Sequence, residues 1–118
     1  MLNQLILVGR LTRNPEISKT DNGTTYSHIT LAVPRSYKNS KGEYETDFID
    51  CTLFQIIATN TKEYCKKGDI VGVKGRLESR VFEKDGLKKY TLQVIAEKVT
   101  FLSNNNKEPS DLTTKEEK

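Results

Sequence analysis

The feature that most constrains the fold of this chain is the spacing of its apolar residues, which alternate with polar ones between turn residues as far as Leu102. Period two sends successive side chains to opposite faces of an extended strand, whereas a helix needs apolar residues three and four apart. Leu5 to Leu11 is an apolar run ended by Thr12 and by Asn14-Pro15, where the proline removes a ladder donor. Asp21-Asn22-Gly23 is a turn signal; Thr25 to Val33 follows, with Ile29, Leu31 and Val33 on one face, and Pro34 ends it. Arg35 to Tyr44, which contains Ser40-Lys41-Gly42, reads as a polar hairpin loop, and Glu45 to Phe54 resumes the strand pattern. Ala58 to Lys67 fits one short helix with Gly68 as its stop. Ile70 to Phe82, the turn Glu83-Lys84-Asp85-Gly86, and Lys89 to Phe101 complete the pattern.

Five strands with one short helix between the third and fourth is the order expected of an all-β OB-fold, a partly open Greek-key barrel. Residues 1–102 form the expected domain. From 103 to 118 the apolar pattern stops, and Leu112 alone cannot offset the entropy of ordering that stretch, so 103–118 is expected to be a short disordered tail. Its charges sum to −1, so of the net +3 of the chain the domain carries +4. That balance is too mild to identify a partner, and the placement of the charges matters more than their sum.

Several classes are excluded on count. No run approaches the roughly 18 to 20 apolar residues of a membrane span. The opening Met1 to Val8 lacks a basic flank and a small-residue cleavage site, so it reads as a first strand and not a leader. Cys51 and Cys65, with one histidine in the chain, fall short of the four ligands of a zinc site, and no metal or other cofactor is expected. The two thiols read as reduced and partly buried in a cytoplasmic protein.

The informative pattern is which residues share a face. In the third strand Ile49, Cys51 and Leu53 make a core face, which puts Phe48 and Phe54 on the other side. In the fourth, Val71, Val73, Leu77 and Val81 make the apolar face, which leaves Lys74, Arg76, Arg80 and Phe82 together opposite it. The hairpin loop adds Tyr37 among Arg35, Lys38 and Lys41. Rings interleaved with cations suit an unpaired nucleic-acid strand, because bases stack on rings while Lys and Arg follow the phosphates, and neither contact reads base identity.

The residues Met1-Leu2-Asn3, Leu7-Val8-Gly9-Arg10-Leu11-Thr12 with Pro15-Glu16, Ile29-Thr30-Leu31-Ala32-Val33, Asp47-Phe48-Ile49, Lys66-Lys67-Gly68 and Val73-Lys74-Gly75-Arg76-Leu77 occur in that order. Together they resemble the bacterial single-stranded DNA-binding protein family in its Gram-positive form, over roughly residues 1 to 102. The resemblance implies an OB-fold protomer, a homotetramer, and single-stranded DNA wrapped over its outside during replication, recombination and repair. It implies base stacking at Tyr37, Phe48, Phe54 and Phe82, where many members carry tryptophan, and phosphate contacts at Lys38, Lys66, Lys67 and Arg80. Arg10, Arg35, Lys74 and Arg76 join that set from the distribution of charge. Two departures stand out. Gln55-Ile56-Ile57 follows Phe54 where the family has polar or basic residues, and the ending Thr113 to Lys118 lacks the aspartates and Ile-Pro-Phe tip that recruit replication and repair proteins. Such an abbreviated form suits a phage- or plasmid-borne member.

Two rival readings remain. An OB-fold interaction module, such as a primosome component, would not require four exposed rings. An enzyme would need more than His28 without a nucleophile partner, or Glu43 and Glu45 in a loop, and the chain has no Gly-Lys followed by Ser or Thr to cradle a phosphate.

Overall fold

The computed structural model describes residues 1–103. The elements run β1 (Leu5–Leu11), β2 (Ser18–Lys19), β3 (Thr25–Lys38), β4 (Tyr44–Phe54), α1 (Gln55–Tyr64), β5 (Ile70–Lys84) and β6 (Leu87–Ser103). The sheet order is β1-β5-β6-β4-β3-β2, and Arg10 and Leu11 of β1 also pair with Ala32 and Leu31 of β3. That extra pairing closes five strands into a barrel, with α1 between β4 and β5, which is the OB-fold. Among the described residues only β4 and β6 run parallel, through Cys51–Val94 and Thr52–Ile95.

The core follows from alternation. Leu11, Ile29, Leu31, Cys51, Leu53, Val71 and Val73 are buried, with Ala58 of α1 closing one end of the barrel and Val94 and Ala96 entering from β6. The expected core strip along β5 is overturned in its second half. Leu77 is 41% and Val81 55% exposed, because β5 and β6 continue past the barrel as a two-stranded arm that no other strand covers. The register shifts beside Gly75, where Lys74 pairs with Lys98 and Gly75 with Ala96, so Glu97 is the extra residue of a bulge in β6.

Several boundaries also differ. β3 passes Pro34 and reaches Lys38, so Arg35, Tyr37 and Lys38 lie in a strand and not in the loop. Proline is accommodated there because the β3–β4 register shifts between Pro34 and Lys38, where the ladder is already interrupted. The connection then shrinks to a turn in which Asn39 Oδ1 accepts from the amides of Lys41 and Glu43. The helix begins three residues earlier than expected, since Gln55 at φ +58° turns the chain directly out of β4, and it ends at Tyr64. Gly68 is therefore not its stop; with φ +95° it shapes the turn into β5, where Asp69 accepts from the Lys66 amide at 2.9 Å. β6 runs to Ser103, two residues past the expected strand end at Phe101, and the rest of the expected 103–118 tail lies outside the described residues.

Both cysteines are buried and free. Burial pushes the Cys51 thiol up to about 12 and the Cys65 thiol up to about 11, with Asp50 and Asp69 adding to the respective shifts. Neither forms appreciable thiolate near neutrality, and the thiolate is the reactive species. At pH 8, iodoacetamide is expected to label the native protein far more slowly than the urea-unfolded chain, and equal rates would contradict the burial. Because the folded thiols hold their protons above the ordinary value of 9.0 while unfolded thiols release theirs, this contribution to stability is full below pH 9 and is lost as the pH climbs toward 11 to 12.

Candidate nucleic-acid interface

The β3–β4 ladder fixes one outer face. Tyr26 sits opposite Phe54, His28 opposite Thr52, Thr30 opposite Asp50, Ala32 opposite Phe48 and Pro34 opposite Thr46. Cross-strand partners point to the same side, so Phe48 and Phe54 share this face with Tyr26 and His28. The β5–β6 ladder continues it through Arg76–Ile95, Glu78–Gln93, Arg80–Thr91 and Phe82–Lys89. Ile95 is buried yet stands outside the core cluster, which fits a side chain covered from this outer side.

The rings differ in how open they are. Phe48 is 68% and Phe82 46% exposed, while Phe54 is half-buried where β4 turns into α1. Tyr37 is also exposed, but it lies beyond Pro34, where the shifted register no longer ties its direction to that of Phe48.

The cations fall into separate groups. On the ring face Arg76 is clamped by carboxylates, Nη2 to Glu78 Oε2 at 2.7 Å and Nη1 to Glu97 Oε2 at 3.1 Å, and those bonds raise its pKa. Arg80 lies 3.7 Å from Glu78 Oε1. Gln93, with its amide turned so that its oxygen faces the guanidinium, accepts from Arg80 Nη2 at 2.8 Å and Nε at 3.2 Å. Lys74 points outward from the barrel wall between Ile6 and Lys98. Arg35 is on the opposite side of the β3–β4 hairpin from Phe48, gripped by Glu45 and Asp47 at 2.8 Å each, and its hydrogen bond holds the Asp47 carboxyl below the usual range. Lys38 Nζ sits 5.6 Å from the centre of the Tyr44 ring, a cation–π contact.

Arg10, Lys66 and Lys67 gather elsewhere, at the turn between α1 and β5. Arg10 Nη1 donates to the Gly68 carbonyl at 2.7 Å, and the Lys67 amide donates to Asn14 Oδ1 at 2.7 Å, so β1 and its following loop hold both lysines in place. After Phe54, Ile57 packs against the core and Ile56 is exposed, so no cation stands at either position.

Sequence reasoning passed over Tyr26, Tyr44, Thr52 and Gln93 and weighed His28 only as a catalytic group. The alternation that found Phe48 and Phe54 also places Tyr26 and His28 on the ring face once it is applied to β3. Gln93 had no comparable signal, because the bulge at Glu97 resets the parity of β6. Among the described residues no cluster of His, Cys, Asp or Glu is arranged to hold a metal ion, and no helix is long and apolar enough to cross a membrane.

A sequence model of the single-strand binding protein family matches residues 2–102. The chain is 47% identical over 103 residues to single-stranded DNA-binding protein B of Bacillus subtilis (strain 168), covering 86% of this chain and 91% of that one. It is 45% identical over 111 residues to single-stranded DNA-binding protein 2 of Staphylococcus aureus (strain COL), covering 92% and 80%. A Bacillus cereus single-stranded DNA-binding protein is 46% identical over 107 residues, which cover 90% of this chain and 63% of that relative.

Proposed function

This chain belongs to the single-strand binding protein family, and from that premise we propose that it binds and protects single-stranded DNA in replication, recombination and repair, without sequence preference and without catalysis. The observation that carries this reading is the shared outer face on which Phe48, Phe54 and Phe82 stand with Arg76 and Arg80. Bases stack on the rings and phosphates follow the cations, Lys38, Lys74 and the Arg10–Lys66–Lys67 group extending the path and Tyr37 adding a fourth ring. Arg35, turned away from that face, has the weakest geometric support in the set. The cytoplasm is the compartment in which such a protein meets DNA.

We also propose a homotetramer. Two features favour association of copies: Ile6 and Val8 are exposed on the outside of β1, and Leu92 and Tyr90 stand opposite Ser79 and Val81 on the uncovered side of the arm, extending the apolar strip begun by Leu77. Along Leu5 to Gly9, β1 has β5 on one edge while β3 reaches only Arg10 and Leu11 on the other, which leaves a strand edge to pair. Sedimentation at micromolar concentration is expected to give four copies of the 13.4 kDa chain. Recruitment of replication and repair proteins has no support in the described residues.

Titration with oligo-dT and with duplex of equal length tests the main reading. Saturable binding to oligo-dT that weakens with salt is expected, with much weaker binding to duplex; equal affinity for both would overturn it. The clamp on Arg76 gives a second expected outcome. Replacing Glu78 and Glu97 by glutamine removes two charges that compete with phosphate, so affinity should rise and the salt slope should steepen by about 0.7 if Arg76 gains one phosphate. An unchanged slope would remove Arg76 from the contact set.

A further inference from the structure

Past Pro34 the hairpin of β3 and β4 loses its regular ladder. Pro34 pairs with Thr46 and the next partners are Lys38 and Tyr44, so Arg35, Ser36 and Tyr37 of β3 face Glu45 alone in β4. Surplus residues of this kind interrupt the ladder and let a hairpin bend. The tip beyond that break carries Tyr37, Lys38, Lys41 and Tyr44, all exposed.

Side chains span the gap that the backbone leaves. Arg35 Nε donates to the two Asp47 oxygens at 3.1 and 3.2 Å, Nη2 donates to Asp47 Oδ1 at 2.8 Å, and Nη1 donates to Glu45 Oε1 at 2.8 Å. The second Glu45 oxygen, Oε2, accepts from Asn39 Nδ2 at 3.0 Å. Asn39 also closes the turn, since its Oδ1 holds the Lys41 and Glu43 amides and its own amide donates to the Glu43 carbonyl at 2.8 Å. A continuous run of bonds therefore leads from Asp47, which pairs with Val33 on the regular side of the break, through Arg35 and Glu45 to the turn. Every nitrogen of the Arg35 guanidinium is engaged by a carboxylate, so a phosphate contact there would have to undo the run.

We propose that Arg35, Glu45, Asp47 and Asn39 form a brace that fixes the tip of the β3–β4 hairpin before DNA arrives, so that Tyr37 and Lys38 meet the strand already ordered. All four are positioning residues, and Arg35 makes no phosphate contact. The brace rests on the single-strand reading above and changes the part that Arg35 plays in it. Exposed ion pairs contribute little to global stability one by one, but ordering a loose loop on binding subtracts from affinity. The clamp on Arg76 uses the same carboxylate chemistry on the ring face, where it competes with phosphate. On the far side of the hairpin, removing the carboxylates has the opposite consequence.

The test uses Arg35→Met and the double change Glu45→Thr with Asp47→Thr, in which threonine favours a strand but is too short to hold the guanidinium. The double change removes two negative charges, which by itself favours DNA, so the sign of the effect discriminates. The brace predicts that each variant loses roughly threefold to tenfold in affinity for oligo-dT, the scale for re-ordering one or two side chains. It also predicts an unchanged salt slope, a melting temperature close to the parent's, and faster tryptic cleavage after Lys38 and Lys41 in the absence of DNA. Combining all three changes should cost no more than either variant alone, because the brace breaks once. A gain in affinity for the double change, or a salt slope reduced by about 0.7 in Arg35→Met, overturns the brace and makes Arg35 a phosphate contact. Cleavage at the parent's rate in both variants overturns it as well. A parent that binds duplex as tightly as oligo-dT overturns the single-strand reading, whereas a parent that prefers oligo-dT beside variants that bind and cleave like it overturns the brace alone.

Discussion

Phe48→Ala and Phe82→Ala are each expected to weaken binding to oligo-dT by about 1 to 3 kcal/mol, a factor of roughly 5 to 150, with little change in melting temperature. Both rings are exposed on the protomer, at 68% and 46%, so truncating them opens no cavity in the core. Phe54→Ala should behave differently. Half-buried at the junction of β4 and α1, it should lower the melting temperature as well as the affinity, although by less than the 3 to 5 kcal/mol of a fully buried phenylalanine. Measuring melts beside titrations separates the two effects. Variants of Phe48 and Phe82 that melt like the parent and bind like it would remove the ring face from the interface.

The second large effect is expected at Gly75. A methyl group there would run into the carbonyl of Ile95 across the ladder, with the Ile95 carbonyl carbon at 3.1 Å and Ala96 Cα at 3.3 Å. These are backbone atoms at the bulge, so no side chain can rotate away. Gly75→Ala should cost about 1 to 3 kcal/mol, a fall of roughly 5 to 20 °C in melting temperature. It should also reduce DNA binding, since displacing Ile95 shifts Gln93 two residues away and the arm that carries Arg80 and Phe82. Gly72→Ala is the control: its nearest neighbour would be Leu102 Cδ1 at 3.4 Å, an ordinary contact. Equal melting temperatures for the two variants would contradict the close approach at Gly75.

Much of the barrel was legible because burial imposes a parity. Ile29, Leu31, Cys51, Leu53, Val71 and Val73 point inward because each lies on a strand with one wet face, and the same parity carried Phe48 and Phe54 outward. The rule fails wherever a strand leaves the barrel. Leu77 and Val81 obey the alternation of β5 but stand on an arm that no strand beyond β6 covers, and no periodicity within one strand reports where its neighbours end. Pro34 misled for a related reason: a proline stops a ladder only where its amide is needed, and here the register is already broken. At the site, the rings were readable from type and parity, whereas the engagement of the cations was not. Whether Arg76 faces solvent or Glu97 depends on the bulge that brings Glu97 beside it, a shift of register across the β5–β6 hairpin that the alternation within either strand does not report.

Separation along the chain governs the order in which the barrel can assemble. β3 and β4 are joined by the short turn at Asn39–Glu43, and β5 and β6 by the turn at Asp85–Gly86, so both hairpins close over small loops. β1 has no such neighbour: Leu5 finds its partner at Gly75, and its seam to β3 consists of Arg10 and Leu11 alone. Non-local pairing of this kind slows folding into the range of milliseconds to seconds. Synthesis at about 5 to 20 residues per second keeps β1 waiting for β5 over a comparable or longer interval. The first strand made thus waits longest for its main partner, and its open edge, with Ile6 and Val8 beside it, is the part of the nascent chain most in need of shielding until β5 arrives.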